Sequence, residues 1–293
     1  MSLPISTVVL ALAMVCFPML PAARQEAARQ GAPPALTAEA MEEFLLNARI
    51  LRSRDAGKGV TGSVRATLTD GVLTHDAHVQ VVDESKPTFR GGSTFELNFR
   101  DSWKYNVAVY RIDRLLGLDL VPVSVKRRWR DNDAAYSWWV DDVLMDEGER
   151  MKKNILPPDP RCWDEQTRLV RMLDQLIDNA DRNVGNMIIT NNWRVWAIDH
   201  TRAFRHSKTV RKPAHLTGID RTLLQRLEAL EFGVLKREIG QYVTDGDIRS
   251  LLARRDAIVA HFKARGETAF YDRRPPTSGC LPVSRSGDQP IHR

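Results

Sequence analysis

Three cysteines are all that 293 residues contain, and no Cys or His pair stands at the spacing of a zinc or iron–sulfur site. Disulfide-dense small folds and Cys/His metal scaffolds are thereby excluded. Cys16 falls in an N-terminal apolar run, which leaves Cys162 and Cys280. The sequence leaves open whether these form one disulfide in an oxidising compartment or remain two separate thiols. No internal repeat occurs at the usual periods. The 43 Lys and Arg and 37 Asp and Glu are interspersed, so the net charge of +6 reads as a solvated surface before an anion-binding one. No aromatic stacking platform is interleaved with the basic residues, so nucleic acid is not expected as a partner.

Charged side chains are also missing before Arg24, where Leu3, Ile5, Val8, Val9, Leu10, Leu12, Val15 and Phe17 form an apolar run. This is the pattern of a signal-peptide h-region. Small residues at Ala22, Ala23, Ala27 and Ala28 suit a signal peptidase, although the start lacks Lys or Arg and shows no clean A-x-A. Residues 1–28 are expected to be removed or to stay as an N-terminal membrane anchor, with the rest exported to the periplasm or the extracellular space. A buried N-terminal helix would show a polar face, which this run lacks.

What remains, 43% hydrophobic and 27% charged over the whole chain, suffices for one large domain or two lobes sharing a cleft. Beyond a linker around Gln30 to Ala35, Met41, Phe44, Leu45, Ala48 and Leu51 share one side of a helix. Strands are predicted over Ser63 to Thr69 and His75 to Val82, parted by the Asp70-Gly71 turn signal. A helix follows from Ser102 to Leu116 with Gly117 ready to end it, then strands over Val121 to Trp129 and Tyr136 to Met145. Trp138 and Trp139 alternate across the last strand, with one of the two expected in the core. Apolar stripes then mark three helices: Leu169, Met172, Leu173, Leu176 and Ile177; Leu223, Leu224, Leu227 and Leu230; and, after Thr244, Ile248, Leu251, Leu252, Val259 and Phe262. Between the first two, Met187 to Thr190 and Arg194 to Ile198 form a hairpin through Asn191-Asn192. From residue 273 to 293, Pro, Gly and Ser suggest a disordered tail.

The chemistry is concentrated in Asp178-Asn179-Ala180-Asp181-Arg182-Asn183-Val184-Gly185-Asn186, with Asp199 thirteen positions after Asn186. Helix, loop and hairpin would bring these groups to one end. Phosphoryl transfer needs a carboxylate near the attacking hydroxyl and oxygen ligands for magnesium on the nucleotide phosphates. Asp181 suits the first task, Asn186 and Asp199 the second. Ordinary turns favour the same residue types. Upstream, Gly57-Lys58-Gly59-Val60-Thr61-Gly62 precedes a strand rather than a helix. That favours a phosphate-covering flap over a dinucleotide fold, and a simple flexible turn is the other alternative.

The segment Asp181-Arg182-x-x-x-Asn186 with Ile198-Asp199 resembles the D-R-x-x-x-N loop and I-D motif of phosphatidylinositol 3/4-kinase-like proteins, and it is similar to HipA-type kinases. Over residues 57 to 262 the chain resembles uncharacterised exported bacterial proteins of that kinase-like group. The resemblance implies an α+β, two-lobed kinase-like fold, with a strand-rich N-lobe over 37–147 and a helical C-lobe over 148–272. It implies catalysis by Asp181, metal coordination by Asn186 and Asp199, and a nucleotide site of Gly57, Lys58, Gly59, Gly62 and Gln80. ATP and Mg²⁺ are the implied cofactors, and the acceptor is a protein, lipid or small molecule that the sequence does not identify. His200 stands where ordinary protein kinases carry the Phe of D-F-G. The Lys/Glu pair of ordinary kinases is missing: Gln80 and Asn106 occupy the two positions and could hydrogen-bond each other without supplying a charge. Lys58, Arg65 and Lys86 are the cations nearby. A phosphotransferase, a pseudokinase or nucleotide-sensing scaffold, and a nucleotidyl transferase are all compatible with these residues.

Overall fold

The computed structural model describes residues 36–56, 63–91, 94–179, 182–273 and 279–281. The expected leader, the Gly57–Gly62 loop, Asp181 and most of the tail lie outside the described residues. Helix α1 (Ala38–Asn47) is followed by strands β1 (Arg49–Asp55), β2 (Val64–Thr69) and β3 (Thr74–Gln80). The periodicity that carried the first helix on to Leu51 gives way at Asn47. Arg49–Asp55 is drawn instead into an antiparallel ladder with β2, as an edge strand exposed along its whole length. The Asp70-Gly71 turn forms as expected: Asp70 Oδ1 accepts the Val72 and Leu73 amides at 2.8 and 2.7 Å, and Gly71 takes φ +98°.

Next comes an element that the sequence did not betray, a hairpin of β4 (Asp83–Gly91) and β5 (Thr94–Ser102) that stands apart from the first sheet. Helix α2 (Lys104–Leu116) ends at Gly117, whose φ of +58° is the left-handed cap. Strands β6 (Ser124–Trp129) and β7 (Asn132–Trp138) complete a five-stranded antiparallel sheet in the order β1-β2-β3-β7-β6. Helices α1 and α2 both pack on β6 and β7, with Phe44 edge-on to Trp138 at 5.6 Å. The single strand expected over Tyr136 to Met145 is in fact two. The chain leaves β7 at Trp138, Asp142 adopts φ +53°, and β8 (Val143–Asp146) turns away to pair with β9 in a second sheet.

The remainder is largely helical: α3 (Glu147–Lys152), α4 (Pro160–Ile177), the hairpin β9 (Met187–Thr190) and β10 (Val195–Ala197), β11 (Ile219–Asp220), α5 (Arg221–Glu228), α6 (Phe232–Ile239), α7 (Asp245–Arg265) and β12 (Phe270–Tyr271). Leu169, Leu173, Leu176, Leu223, Leu227, Ile248, Leu251 and Phe262 are buried, as their spacing predicted. Thr244 and Asp247 form a reciprocal capping box at the start of α7. The strand-rich first part and helical second part are those of a two-lobed α+β kinase-like fold. Among the described residues no helix is long and apolar enough to cross a membrane.

Cys162, in the first turn of α4, is joined to Cys280 by a disulfide. Cys280 is fully buried with Met145, Ile189 and Trp193, and its amide donates to the Asn192 carbonyl at 2.8 Å. Within the tail expected to be disordered, residues 279–281 are therefore anchored, while 274–278 and 282–293 lie outside the described residues.

On α2, Asp113 is buried, and its Oδ1 accepts the Leu120 amide at 3.0 Å. Burial outweighs that bond and pushes its carboxyl up to about 7, with Asp119 adding to the rise. An unfolded aspartate ionises near about 4, so the folded state holds the extra proton between about pH 4 and 7, and stability falls as pH rises through that window. Asp113→Asn keeps an oxygen for Leu120 and removes the proton. Its melting temperature should vary less with pH across this window than the parent's; identical slopes would absolve Asp113.

Candidate functional site

Helix α4 stops at Asp178, whose φ of +53° turns the chain out of the helix. One turn earlier, buried Asp174 gathers the loop that follows. Its Oδ1 accepts Asn179 Nδ2 at 3.1 Å and Arg182 Nη2 at 2.8 Å, and its Oδ2 accepts Arg182 Nε at 3.0 Å. The remaining arm of Arg182 donates to the carbonyls of Ile198 at 2.7 Å and Asn186 at 3.3 Å. One guanidinium thus ties the end of α4 to both ends of the β9–β10 hairpin, in a bidentate geometry that Lys could not reproduce.

The hairpin closes the thirteen-residue gap. The Ile198 amide donates to the Asn186 carbonyl at 3.0 Å, which sets Asn186 beside the residue that precedes Asp199. Asp199 is exposed, at φ +54°, and its Oδ1 accepts the Thr201 hydroxyl at 3.1 Å. Asp181 lies outside the described residues, between Asn179 and Arg182, both of which are held by Asp174. Among the described residues no three His, Cys, Asp or Glu side chains converge as a metal cage. One carboxylate and one amide oxygen, completed by water and phosphate oxygens, nevertheless suit Mg²⁺ or Mn²⁺.

Gln80 and Asn106 do hydrogen-bond each other. Asn106 Nδ2 donates to Gln80 Oε1 at 2.7 Å, and both side chains are buried. Asn106 Oδ1 also accepts the His200 amide at 2.8 Å, which links β3, α2 and the chain just past Asp199 without any charge. His200 is buried, and burial holds its imidazole well below its usual range, with Arg182 pressing the same way. Among the described residues no hydrogen bond brings a cation to the amide pair. Arg65 is held by Asp76 at 2.6 Å and lies over the Trp139 ring at 4.1 Å, and Lys86 pairs with Glu84 at 2.6 Å. Gly57, Lys58, Gly59 and Gly62 lie outside the described residues.

Sequence reasoning missed three residues near Asp199. His78 stands two positions before Gln80, hence on the same strand face; burial lowers its pKa and the Asp199 carboxylate opposes that shift. Alternation from Gln80 would have found it. Asp101, at the end of β5, is buried, and its carboxyl is raised by burial, countered by the Thr201 hydroxyl and Arg202, and raised further by Asp199. Arg202 reaches back to Glu96 of the β4–β5 hairpin. No local pattern signals either of the last two. The two tryptophans alternate as expected, Trp138 joining the core and stacking on His75 at 3.8 Å. Of the acidic residues that follow the tryptophans, Asp141 meets His75, Asp146 caps α3 and Glu147 pairs with Arg150.

No protein-family model and no curated protein sequence matches the chain. Solved structures do resemble it in fold. The structure of hydra Fam20 with sugar aligns with a TM-score of 0.59 at 17% identity, covering 80% of this chain and 92% of that one. The Golgi casein kinase with Mn/ADP bound aligns with a TM-score of 0.56 at 13% identity, covering 80% and 78%. At such identities the likeness concerns architecture, and it gives this chain the kinase-like fold that its strand-rich and helical halves display.

Proposed function

We propose that the chain is an ATP- and Mg²⁺-dependent phosphotransferase of the kinase-like superfamily, related to the phosphatidylinositol 3/4-kinase-like and HipA-type proteins and acting on a protein, lipid or small-molecule hydroxyl. The observation that carries the reading is the Ile198-to-Asn186 main-chain bond, which sets Asn186 beside the residue that precedes Asp199. In this reading Asp181 orients the acceptor hydroxyl and takes its proton, while Asn186 and Asp199 hold the metal. Arg182 ties the end of α4 to the chain at Asn186 and at Ile198, next to Asp199. The glycines of the Gly57–Gly62 loop let main-chain amides approach the phosphates, with Lys58 as their cation. A bound divalent cation would neutralise charge developing on the phosphate oxygens. The Mn/ADP bound to the similarly folded Golgi casein kinase supports the choice of ligands.

Export, with residues 1–28 removed or left as an anchor, accords with the Cys162–Cys280 disulfide. A second reading, a pseudokinase that senses nucleotide without transferring phosphate, draws on the uncharged Gln80–Asn106 pair.

Incubation with ATP and Mg²⁺ or Mn²⁺ separates the readings. A ligand that binds only the folded state raises the melting temperature, by an amount corresponding to about 2.7 kcal/mol at a hundredfold excess over Kd. Phosphate appearing on an acceptor supports transfer, AMP on the protein or acceptor shows nucleotidyl transfer, and a thermal shift without either product favours the sensor. No shift with any nucleotide would sink both nucleotide-binding readings.

A further inference from the structure

Many protein kinases are switched in an activation segment, where an added phosphate draws in arginines and orders the chain, and the kinase-like reading sets that segment just after Asp199. Here the corresponding stretch carries two arginines, Arg202 and Arg205, and both turn towards one carboxylate on the β4–β5 hairpin. Arg202 Nη2 meets Glu96 Oε2 at 2.5 Å, and Arg205 Nη2 meets Glu96 Oε1 at 2.9 Å. The three side chains are only 13 to 23% exposed, so water competes poorly for these bonds. The hairpin grips the same stretch elsewhere. The Phe99 ring lies 4.2 Å from the Arg202 guanidinium, Arg100 Nη1 donates to the Phe204 carbonyl at 3.1 Å, and the Ser102 amide donates to the Thr201 carbonyl at 2.9 Å. Arg100 is itself fixed to Asp247 of α7 at 2.7 Å. From below, Arg254 of α7 donates to the carbonyls of Leu176 and Ser207.

We propose that Glu96 is a positioning residue that does permanently, as part of the chain, what an added phosphate does in a switched kinase: it holds residues 200–206 against the hairpin and so fixes Asp199 and its neighbours for transfer without modification of the segment. This inference rests on the phosphotransferase reading for its consequence and on the hairpin geometry for its premise. One carboxylate bridging two guanidinium groups supplies the same fork of charge-assisted bonds that a phosphate would, and its loss would take from both cations the group that joins them to the hairpin. The hydroxyls that a kinase could modify, Ser207 and Thr209, lie just beyond the clamp and hydrogen-bond each other at 3.1 Å.

Amide hydrogen exchange and steady-state transfer on the full chain, Glu96→Gln and Glu96→Asp test this. In Glu96→Gln, exchange across residues 200–206 should quicken by about tenfold or more while the core helices keep their protection, because only the local opening becomes easier. In the same variant kcat should fall by about tenfold with the KM for nucleotide nearly unchanged, and Glu96→Asp should recover most of both losses because it keeps the charge. Should Glu96→Gln fail to fold, Arg205→Ala removes one arm and should quicken exchange in the same segment. Unaltered exchange across 200–206, or exchange quickened equally throughout the molecule, overturns the clamp. So does active protein that carries phosphate on Ser207 or Thr209 and loses transfer when it is removed. A parent that transfers no phosphate defeats the phosphotransferase reading, and the exchange comparison still decides the clamp by itself.

Discussion

Asp199→Asn should bind Mn²⁺-ADP about a hundredfold or more weakly than the parent, because a metal-bound carboxylate is replaced by a neutral amide of the same shape. Its melting temperature should move by no more than about 2 °C, the scale of a surface substitution. The separation of the two effects follows from the local geometry. The side chain is exposed, its Oδ1 accepts the Thr201 hydroxyl, and an asparagine oxygen can accept that bond as well. The backbone sits at φ +54°, which asparagine tolerates at least as readily as aspartate. Titration calorimetry with Mn²⁺ and ADP, or the Mn²⁺ paramagnetic resonance signal, measures the loss directly. Undiminished binding would remove Asp199 from the metal site and with it the kinase-like mechanism. Asp181→Ala is the complementary case: it should retain Mn²⁺-ADP and lose transfer, since its proposed task concerns the acceptor hydroxyl alone.

The second large effect concerns the covalent link. Cys162 and Cys280 are 118 positions apart, and closing a loop of that length removes chain entropy from the unfolded state worth about 5 kcal/mol, with engineered cases often below that figure. Cys162→Ala with Cys280→Ala should therefore lower the melting temperature by roughly 10 °C. Reductant should lower the parent's melting temperature by a similar amount and leave the double variant unmoved. If reductant changes neither protein, the two sulfurs are not joined in solution.

The elements that could be read from the sequence are those whose signals are local. The β2–β3 turn is written in Asp70-Gly71, the end of α2 in Gly117, and the start of α7 in Thr244 with Asp247. The approach of Asn186 to Asp199 was legible because a hairpin is short and returns the chain on itself. The β4–β5 hairpin was not, and its packing says why. Its inward contacts are made by Glu96 and Arg100 as much as by Phe99, so no apolar alternation marks it, and Pro87 and Gly91 read as breakers. Strand β1 was hidden for a related reason: exposed throughout, it carries no buried face to set a period of two. His78 and Asp101 reach the neighbourhood of Asp199 only through tertiary folding, which no spacing encodes. The Gln80–Asn106 bond was foreseeable from its two positions, whereas its extension to the His200 amide required the fold.

A Lys–Glu bridge loosens when acid protonates the carboxylate or when dissolved ions shield the pair. The Gln80–Asn106–His200 link consists of two side-chain amides and a main-chain amide, so it has nothing to titrate and no net charge to shield. The strand, the helix and the stretch beyond Asp199 are thereby joined by a contact that salt cannot screen, and acid reaches it only through the buried His200 imidazole, whose protonation the fold resists.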